Sequence, residues 1–481
     1  MPDLQTLHAA LHPVAAVIAV AVIVVGVIQN ATYLMQLVIA FVALRARPPV
    51  SDRHEIWRQF NDSTLPISLL VPAFNEQATV VENVRSLLAL SYPHFEIIVI
   101  NDGSSDATMD ELIGAFALKP TVRAFEAAVP HRPIRRIYRS PRFPQLIAID
   151  KENGGKADAL NAGINLARMP LVCTMDADSL LENDSLLRAV EPFSEDPTQV
   201  LAVGGTIRVV NGCAVRAGQV VEVGLPGQLL ALFQVIEYLR AFLMARLAWS
   251  HVDALLLISG AFGIFRRDAV VAVGGYSHGT VGEDIELIVK IHRLIHERGI
   301  DGEIRFVPDP VCWTEVPTTL RQLGRQRRRW QRGALETFFK HIRMLGNPRY
   351  GAAGLVGYPY LFLSDVLGPP LEVVGYVLMP LFWAAGVLSV DYLLAFLALT
   401  FVFGVFISVG ALVLEELELH RYPRPRDLVL LTLVAVVENF GYRQINNLWR
   451  IAGYWQFLRG AKEWGAMERR GFARDGDRRS S

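Results

Sequence analysis

The sequence predicts an α/β domain set between apolar segments long enough to cross a membrane, and three observations carry this. Short apolar, β-branched runs alternate with helical patterns from residue 65 to about 225, the signature of βαβ units around a parallel sheet. Residues 14–44 are apolar apart from Gln29, Asn30, Thr32, Tyr33 and Gln36, and the chain turns apolar again from Leu355. Hydrophobic residues make up 52% of the 481, and the mean hydropathy of +0.30 lies above that of a soluble domain and below that of a pure membrane channel.

Composition also excludes some classes. Lys plus Arg and Asp plus Glu both number 47, so there is no basic footprint for nucleic acid. The three cysteines, Cys173, Cys213 and Cys312, are too scattered for a zinc framework and odd in number for a closed disulfide set. A reducing compartment fits them.

Residues 1–50 read as an N-terminal transmembrane helix. As a helix, residues 14–44 would run about 46 Å against a hydrocarbon core of about 30 Å, which makes one tilted span with an overhang. The stretch is too long for a signal peptide, and residues 1–13 hold no Lys or Arg to form a basic leader. Arg45, Arg47 and Arg53 follow at once, so the positive-inside rule puts residue 45 onward in the cytoplasm.

Residues 60–318 form the α/β domain. Its expected strands are Pro66–Val71, Phe95–Ile100, Leu171–Met175 and Val200–Val210, and active residues in such sheets gather at the carboxyl ends of strands. Residues 228–249 place leucines and phenylalanines at helical spacing with Glu237, Arg240 and Arg246 interleaved. They read either as a surface helix packed on its own domain or as an interfacial helix. Residues 319–350 carry Arg321, Arg325, Arg327, Arg328, Arg329 and Arg332, either a solvated face or one that meets anionic lipid or diphosphate.

Residues 351–456 hold the C-terminal spans, Leu371–Leu388 and Tyr392–Leu414, and a weaker one, Leu428–Trp455, that contains Glu438, Arg443 and Arg450. Charge inside a bilayer is costly and is expected to face a partner or a lumen. The tail, 457–481, is basic and expected in the cytoplasm. One span before the α/β domain and three after it would put that tail outside. Either the last segment does not cross, or residues 355–388 hide a second crossing.

Four motifs carry chemistry. Asp102 follows the second strand in Asn101-Asp102-Gly103-Ser104-Ser105-Asp106; taken alone, an Asp-Gly pair is turn chemistry. Asp176 and Asp178 follow the third strand, and two carboxylates at that spacing suit a hard divalent cation bridging to phosphate oxygens. Glu283 and Asp284 open a helix after a glycine-rich turn; they either favour the helix N-terminus or supply a general base. Gln326, Arg329 and Trp330 fall in the basic segment, where Arg holds diphosphate and Trp stacks on a sugar or anchors at the membrane interface.

In order and spacing, these motifs resemble the processive family 2 glycosyltransferases, the cellulose, chitin, hyaluronan and poly-N-acetylglucosamine synthases, over residues 65–345. The resemblance implies a GT-A type, Rossmann-like nucleotide-sugar domain inserted between transmembrane and interfacial helices. It assigns Asp176 and Asp178 to Mg²⁺ or Mn²⁺ and the donor diphosphate, and Asp102 to the uridine. The family's opening motif reads here as Val71-Pro72-Ala73-Phe74-Asn75-Glu76, which places Pro72, Phe74 and Glu76 at the donor. Gly155-Lys156-Ala157 puts Lys156 at the donor phosphates, with Arg329. Gly282-Glu283-Asp284 stands for the family's Thr-Glu-Asp, with Gly for Thr, and makes Asp284 the base with Glu283 beside it. Ser259 and Gly260 resemble the segment lining the acceptor end, together with Gln326 and Trp330. Trp464-Gly465 in the tail is similar to a motif that reaches the nucleotide site in hyaluronan and chitin synthases.

The implied activity is inverting transfer from a nucleotide sugar, a UDP-sugar first, to a growing β-linked polysaccharide exported across the plasma (inner) membrane, by a multi-pass protein with a cytoplasmic catalytic domain. The partners implied are the donor, the polysaccharide and the bilayer; no motif points to an accessory subunit. Transfer of a single sugar to a polyprenyl phosphate or lipid, a transporter with a non-catalytic domain, and a nucleotide-binding scaffold are the competing readings.

Overall fold

The computed structural model describes residues 4–46, 64–216, 218–422 and 424–460. Arg47, Arg53 and the tail motif at Trp464 lie outside the described residues. The chain forms two compact units: residues 4–46, 228–254 and 317–460 make one, and residues 64–227 with 255–316 make the other.

The second unit is built on a mixed sheet. Its strands in chain order are β1 (Ile67–Ala73), β2 (Phe95–Asn101), β3 (Lys119–Thr121), β4 (Ile134–Arg139), β5 (Leu146–Lys151), β6 (Leu171–Met175), β7 (Leu180–Leu181), β8 (Val200–Val209), β9 (Ala214–Arg216), β10 (Gln219–Glu222), β11 (Phe262–Arg266) and β12 (Glu303–Thr314). Ten of them pair in the order β3-β4-β5-β2-β1-β6-β11-β8-β12-β7, and β9 and β10 form a separate hairpin. β5, β2, β1 and β6 are parallel neighbours, with Ile67 opposite both Phe95 and Leu171. These strands are buried along nearly their whole length, which is why they read as unbroken apolar runs. All four expected strands are present, within two residues of their expected bounds.

The sheet is not purely parallel. β11 inserts antiparallel between β6 and β8 and begins with Phe262 beside Met175. The turn at Ser259–Ala261 therefore reaches the carboxyl end of β6. A strand running back through a parallel sheet is the one arrangement that delivers its leading turn to that edge.

The helix Lys156–Leu166 follows β5 and is buried from Ala157 to Leu166. A side chain at Gly163 would sit 3.1 Å from both Leu70 and Ile100, so glycine permits the helix to lie close on β1 and β2.

In the first unit, three helices among the described residues are long and apolar enough to cross a membrane: Leu11–Arg45, Ala353–Ala384 and Val390–Leu417. The second is a single run through residues 353–384, so no separate crossing hides there. Pro425–Val437 and Tyr442–Leu458 pass the same test only as a pair bent by 57°, with Gly441 at φ +97° in the break.

The charges expected to need partners have them. Glu438, fully buried, pairs with Arg240 and accepts from Ser408 at 2.6 Å. Arg450 pairs with Asp365 at 2.6 Å and donates to Gln331. Residues 228–249 are thus not a surface helix of the α/β unit; they pack among the apolar helices. The basic segment becomes the helix Leu320–Lys340. Arg327 in it is buried, pairs with Glu237 at 2.6 Å and lies 4.3 Å from the centre of the Trp330 ring. Its arginines are therefore not one solvated face.

Candidate active site

Two loops at the carboxyl ends of β1 and β2 are stitched together. Asn75 donates its N–H to Ser104 Oγ at 3.0 Å, and its Oδ1 accepts from the Ser105 N–H at 2.9 Å. Glu76 donates its N–H to Thr108 Oγ1 and accepts at Oε2 from Thr79. Asn75 sits at φ +57°, a left-handed conformation that asparagine tolerates. The result holds Phe74 half exposed at the loop tip, next to the partly buried Pro72.

Asp102 is buried at the end of β2, and its carboxylate is engaged within the fold. It pairs with Lys151 at 2.6 Å and accepts from the N–H groups of Gly154 at 3.0 Å and Gly155 at 2.7 Å. Lys151, with no exposed side-chain surface, also pairs with Asp158 at 2.5 Å. Asp158 in turn accepts from the Arg132 N–H. Gly103 is at φ +66°, and a Cβ there would lie 2.8 Å from Asn153 N. The loop 152–155 is thereby clamped against β2, and it leads directly into Lys156.

Lys156 lies at the centre of the cluster. Its ammonium is 2.5 Å from Asp176 Oδ1, donates to Gly260 O at 3.2 Å and lies 3.9 Å from Glu283 Oε1. Burial pushes the lysine pKa down, but Asp176, Glu283 and Asp284 together outweigh it and hold the group above its usual value. Asp284 accepts from the Gly260 N–H at Oδ2, 3.2 Å, and from the Ile285 N–H at Oδ1, 2.9 Å. Glu283 is buried. Below it the Tyr276 hydroxyl, 3.2 Å from Thr174 Oγ1, is pushed well up by burial and stays a neutral phenol. The structure thus brings together Lys156, Asp176, Gly260, Glu283 and Asp284, with Ser259 in the same turn. Asp178 follows on the short turn after β6, half-buried. Gln326, Arg329 and Trp330 lie on Leu320–Lys340 in the other unit, where Trp330 is 44% exposed.

Among the described residues no group of three or more His, Cys, Asp or Glu side chains is arranged to hold a metal ion. The carboxylates of Asp176 and Asp178 nevertheless fit a Mg²⁺-type ion, which takes one or two protein carboxylates and completes its shell with water and substrate phosphates. The Lys156 ammonium already stands where such a cation would meet Asp176. The three cysteines are free thiols, and burial pushes Cys173 and Cys312 well up, so they are inert.

Lys151, Asn153 and Thr108 belong to this framework without falling in any of the motifs. A lysine closing the apolar run Leu146–Lys151 was the available signal, since a lysine buried in a strand needs carboxylate partners.

His292 supplies a pH prediction. It is buried, donates from Nε2 to Leu255 O at 2.8 Å, and is pushed by burial from 6.5 down to about 4. Unfolding lets the ring take up a proton below 6.5 that the folded chain refuses until about pH 4. Stability is therefore unaffected by this group above that range and falls by about 3 kcal/mol as the pH drops through it. Thermal unfolding followed from pH 7 to pH 4 should show the loss, and His292→Asn should flatten it.

The family description "Glycosyltransferase like family 2" matches residues 65–333. A poly-beta-1,6-N-acetyl-D-glucosamine synthase of Staphylococcus epidermidis is 31% identical over 274 residues, 57% of this chain and 56% of the relative. The synthase of the same name from Staphylococcus aureus (strain COL) is 32% identical over 289 residues, 59% of each chain. The match thus spans little more than half the length of these curated relatives. Among solved structures, a mannosyltransferase from Pyrobaculum calidifontis, in complex with GDP-Man and Mn²⁺, covers 91% of this chain and 99% of its own at a TM-score of 0.51 and 19% identity, which shows a shared fold. The family that the motifs resemble is the family found, and with residues 65–333 matched out of 481 the chain belongs to the family 2 glycosyltransferases.

Proposed function

We propose that the chain is an inverting glycosyltransferase that moves a sugar from a nucleotide-diphosphate sugar, a UDP-sugar first, onto a growing β-linked polysaccharide. The observation that carries this is the joining of Lys156 to Asp176 at 2.5 Å and of Asp284 to the Gly260 N–H at 3.2 Å around one turn. A cation for a leaving diphosphate and a carboxylate for an attacking hydroxyl sit on either side of Gly260. The relatives named as poly-β-1,6-N-acetylglucosamine synthases support a polymeric product.

Asp284 takes the proton from the acceptor hydroxyl. Glu283 beside it keeps the local field negative and positions Lys156. Lys156 neutralises the departing nucleoside diphosphate. Pro72, Phe74, Glu76 and Asp102 shape the nucleoside end, with Phe74 exposed to stack on a base. Asp176 and Asp178 would hold Mg²⁺ or Mn²⁺, the latter being the ion in the mannosyltransferase complex; such an ion supplies charge neutralisation on the diphosphate. Ser259 and Gly260 border the acceptor. Gln326, Arg329 and Trp330 are assigned by their motif, Arg329 to diphosphate and the other two to the acceptor sugar. One direct displacement inverts the anomeric carbon.

Purified protein in nanodiscs, given UDP- and GDP-sugars with Mg²⁺ or Mn²⁺, should release nucleoside diphosphate with one donor class. No release with any donor would contradict the assignment.

We place the catalytic unit on the cytoplasmic face of the plasma (inner) membrane. Arg45 ends the first span, residues 385–389 between the next two carry no charge, and Arg421, Arg424 and Arg426 follow the third, as the positive-inside rule requires. Reading the bent pair as re-entrant returns the tail to the cytoplasm and removes the parity conflict. Ser389→Cys should react with an impermeant thiol reagent from outside, and Arg421→Cys only after the membrane is opened. The reverse pattern would overturn the topology.

A further inference from the structure

We propose that Lys156 is a resident counter-cation of the acidic site: it occupies the Asp176 oxygen that a divalent ion needs, so that metal loads only when a nucleoside diphosphate draws the lysine away. The proposal rests on the donor-site reading above and adds a gating role to it.

The ammonium is held from three sides, by Asp176 Oδ1 at 2.5 Å, Gly260 O at 3.2 Å and Glu283 Oε1 at 3.9 Å. Its side chain is 17% exposed and that of Asp176 30%, so the pair is half-sheltered yet open to an incoming ligand. A Cβ at residue 260 would lie 2.9 Å from Nζ. The ammonium thus packs directly against residue 260. A Mg²⁺-type ion binds carboxylate oxygen at about 2.1 Å. An ion at Asp176 and an ammonium 2.5 Å from the same carboxylate would be two cations within about 4 Å of each other, which the sheltered site penalises strongly. One must leave.

A diphosphate changes the balance. It brings negative charge and acceptor oxygens, so Lys156 has somewhere to go and Asp176 is freed. Metal and nucleotide then bind with positive coupling, and each raises the affinity for the other by the same factor. In the resting enzyme the lysine keeps Asp176 from collecting free cations.

The test is Mn²⁺ binding to the full-length protein in detergent, read by electron paramagnetic resonance, with and without UDP or GDP. The parent should bind Mn²⁺ at least about tenfold more tightly with one nucleotide than without. Lys156→Met should bind Mn²⁺ alone about tenfold more tightly than the parent and so narrow the gap between binding with and without nucleotide, while Lys156→Arg behaves as the parent does. Equal Mn²⁺ affinity of the parent with and without either nucleotide overturns the gating, and that arm needs no variant. Lys156→Met binding Mn²⁺ no tighter than the parent overturns it too. Asp176→Asn reports on the underlying reading: it should abolish nucleotide-supported Mn²⁺ binding, and unchanged binding would remove the metal assignment itself.

Discussion

Replacing Asp284 with Asn should lower sugar transfer about 10³-fold and leave donor affinity within about twofold of the parent. The carboxylate opens the helix Glu283–Arg298, and its two oxygens accept from Gly260 N–H and Ile285 N–H. Those bonds fix where the group points. Asn keeps the volume and the Oδ1 acceptor for the Ile285 N–H and gives up only the Oδ2 acceptor of the Gly260 N–H, so the fold and the Lys156–Asp176 pair should survive. It also loses the ability to take a proton. Donor titration on the variant, set beside its turnover, separates the roles. A fall in turnover with unchanged donor affinity marks the base; loss of both would make Asp284 a structural residue or a ligand. Glu283→Gln should cost far less in turnover, since it acts through Lys156 rather than on the substrate.

The second large effect concerns stability. Lys151→Met should destabilise the catalytic unit by about 3–5 kcal/mol, because it leaves Asp102 and Asp158 as uncompensated buried charges. Lys151 has no exposed side-chain surface and lies 2.6 Å from one carboxylate and 2.5 Å from the other. Asp102 also holds the Gly154 and Gly155 N–H groups, so the loop leading to Lys156 should loosen as well. Adding Asp102→Asn and Asp158→Asn to Lys151→Met should recover part of the stability, since neutral amides need no counter-charge. Thermal unfolding of the single and triple variants decides it. A Lys151→Met protein as stable as the parent would show that the buried triad is not what holds the loop.

How much of this was legible beforehand follows from what each residue depends on. β1, β2, β6 and β8 were readable because strands buried on both faces are apolar along their length. β4 was not: Ile134–Arg139 exposes three arginines and looks like a basic loop. β11 could not be placed either, since its antiparallel seat between β6 and β8 is fixed by long-range pairing and not by its five residues. The place of 228–254 among the apolar helices was hidden for a similar reason, because it depends on partners such as Ser408 and Glu438, some 170 to 200 residues away. In the site, Asp176, Asp284 and Lys156 announced themselves by motif spacing. The Lys151 triad did not, because its members are separated in the chain and each taken singly is ordinary.

The site is proposed to perform polymerising transfer from a nucleotide sugar. This is tested most directly by the size of the product that purified protein makes in nanodiscs from one radiolabelled nucleotide sugar. The expected product is a ladder or high polymer, lost in the Asp284→Asn variant. A single sugar extracted with lipid would contradict polymerisation, and no labelled product from any donor would contradict transfer altogether.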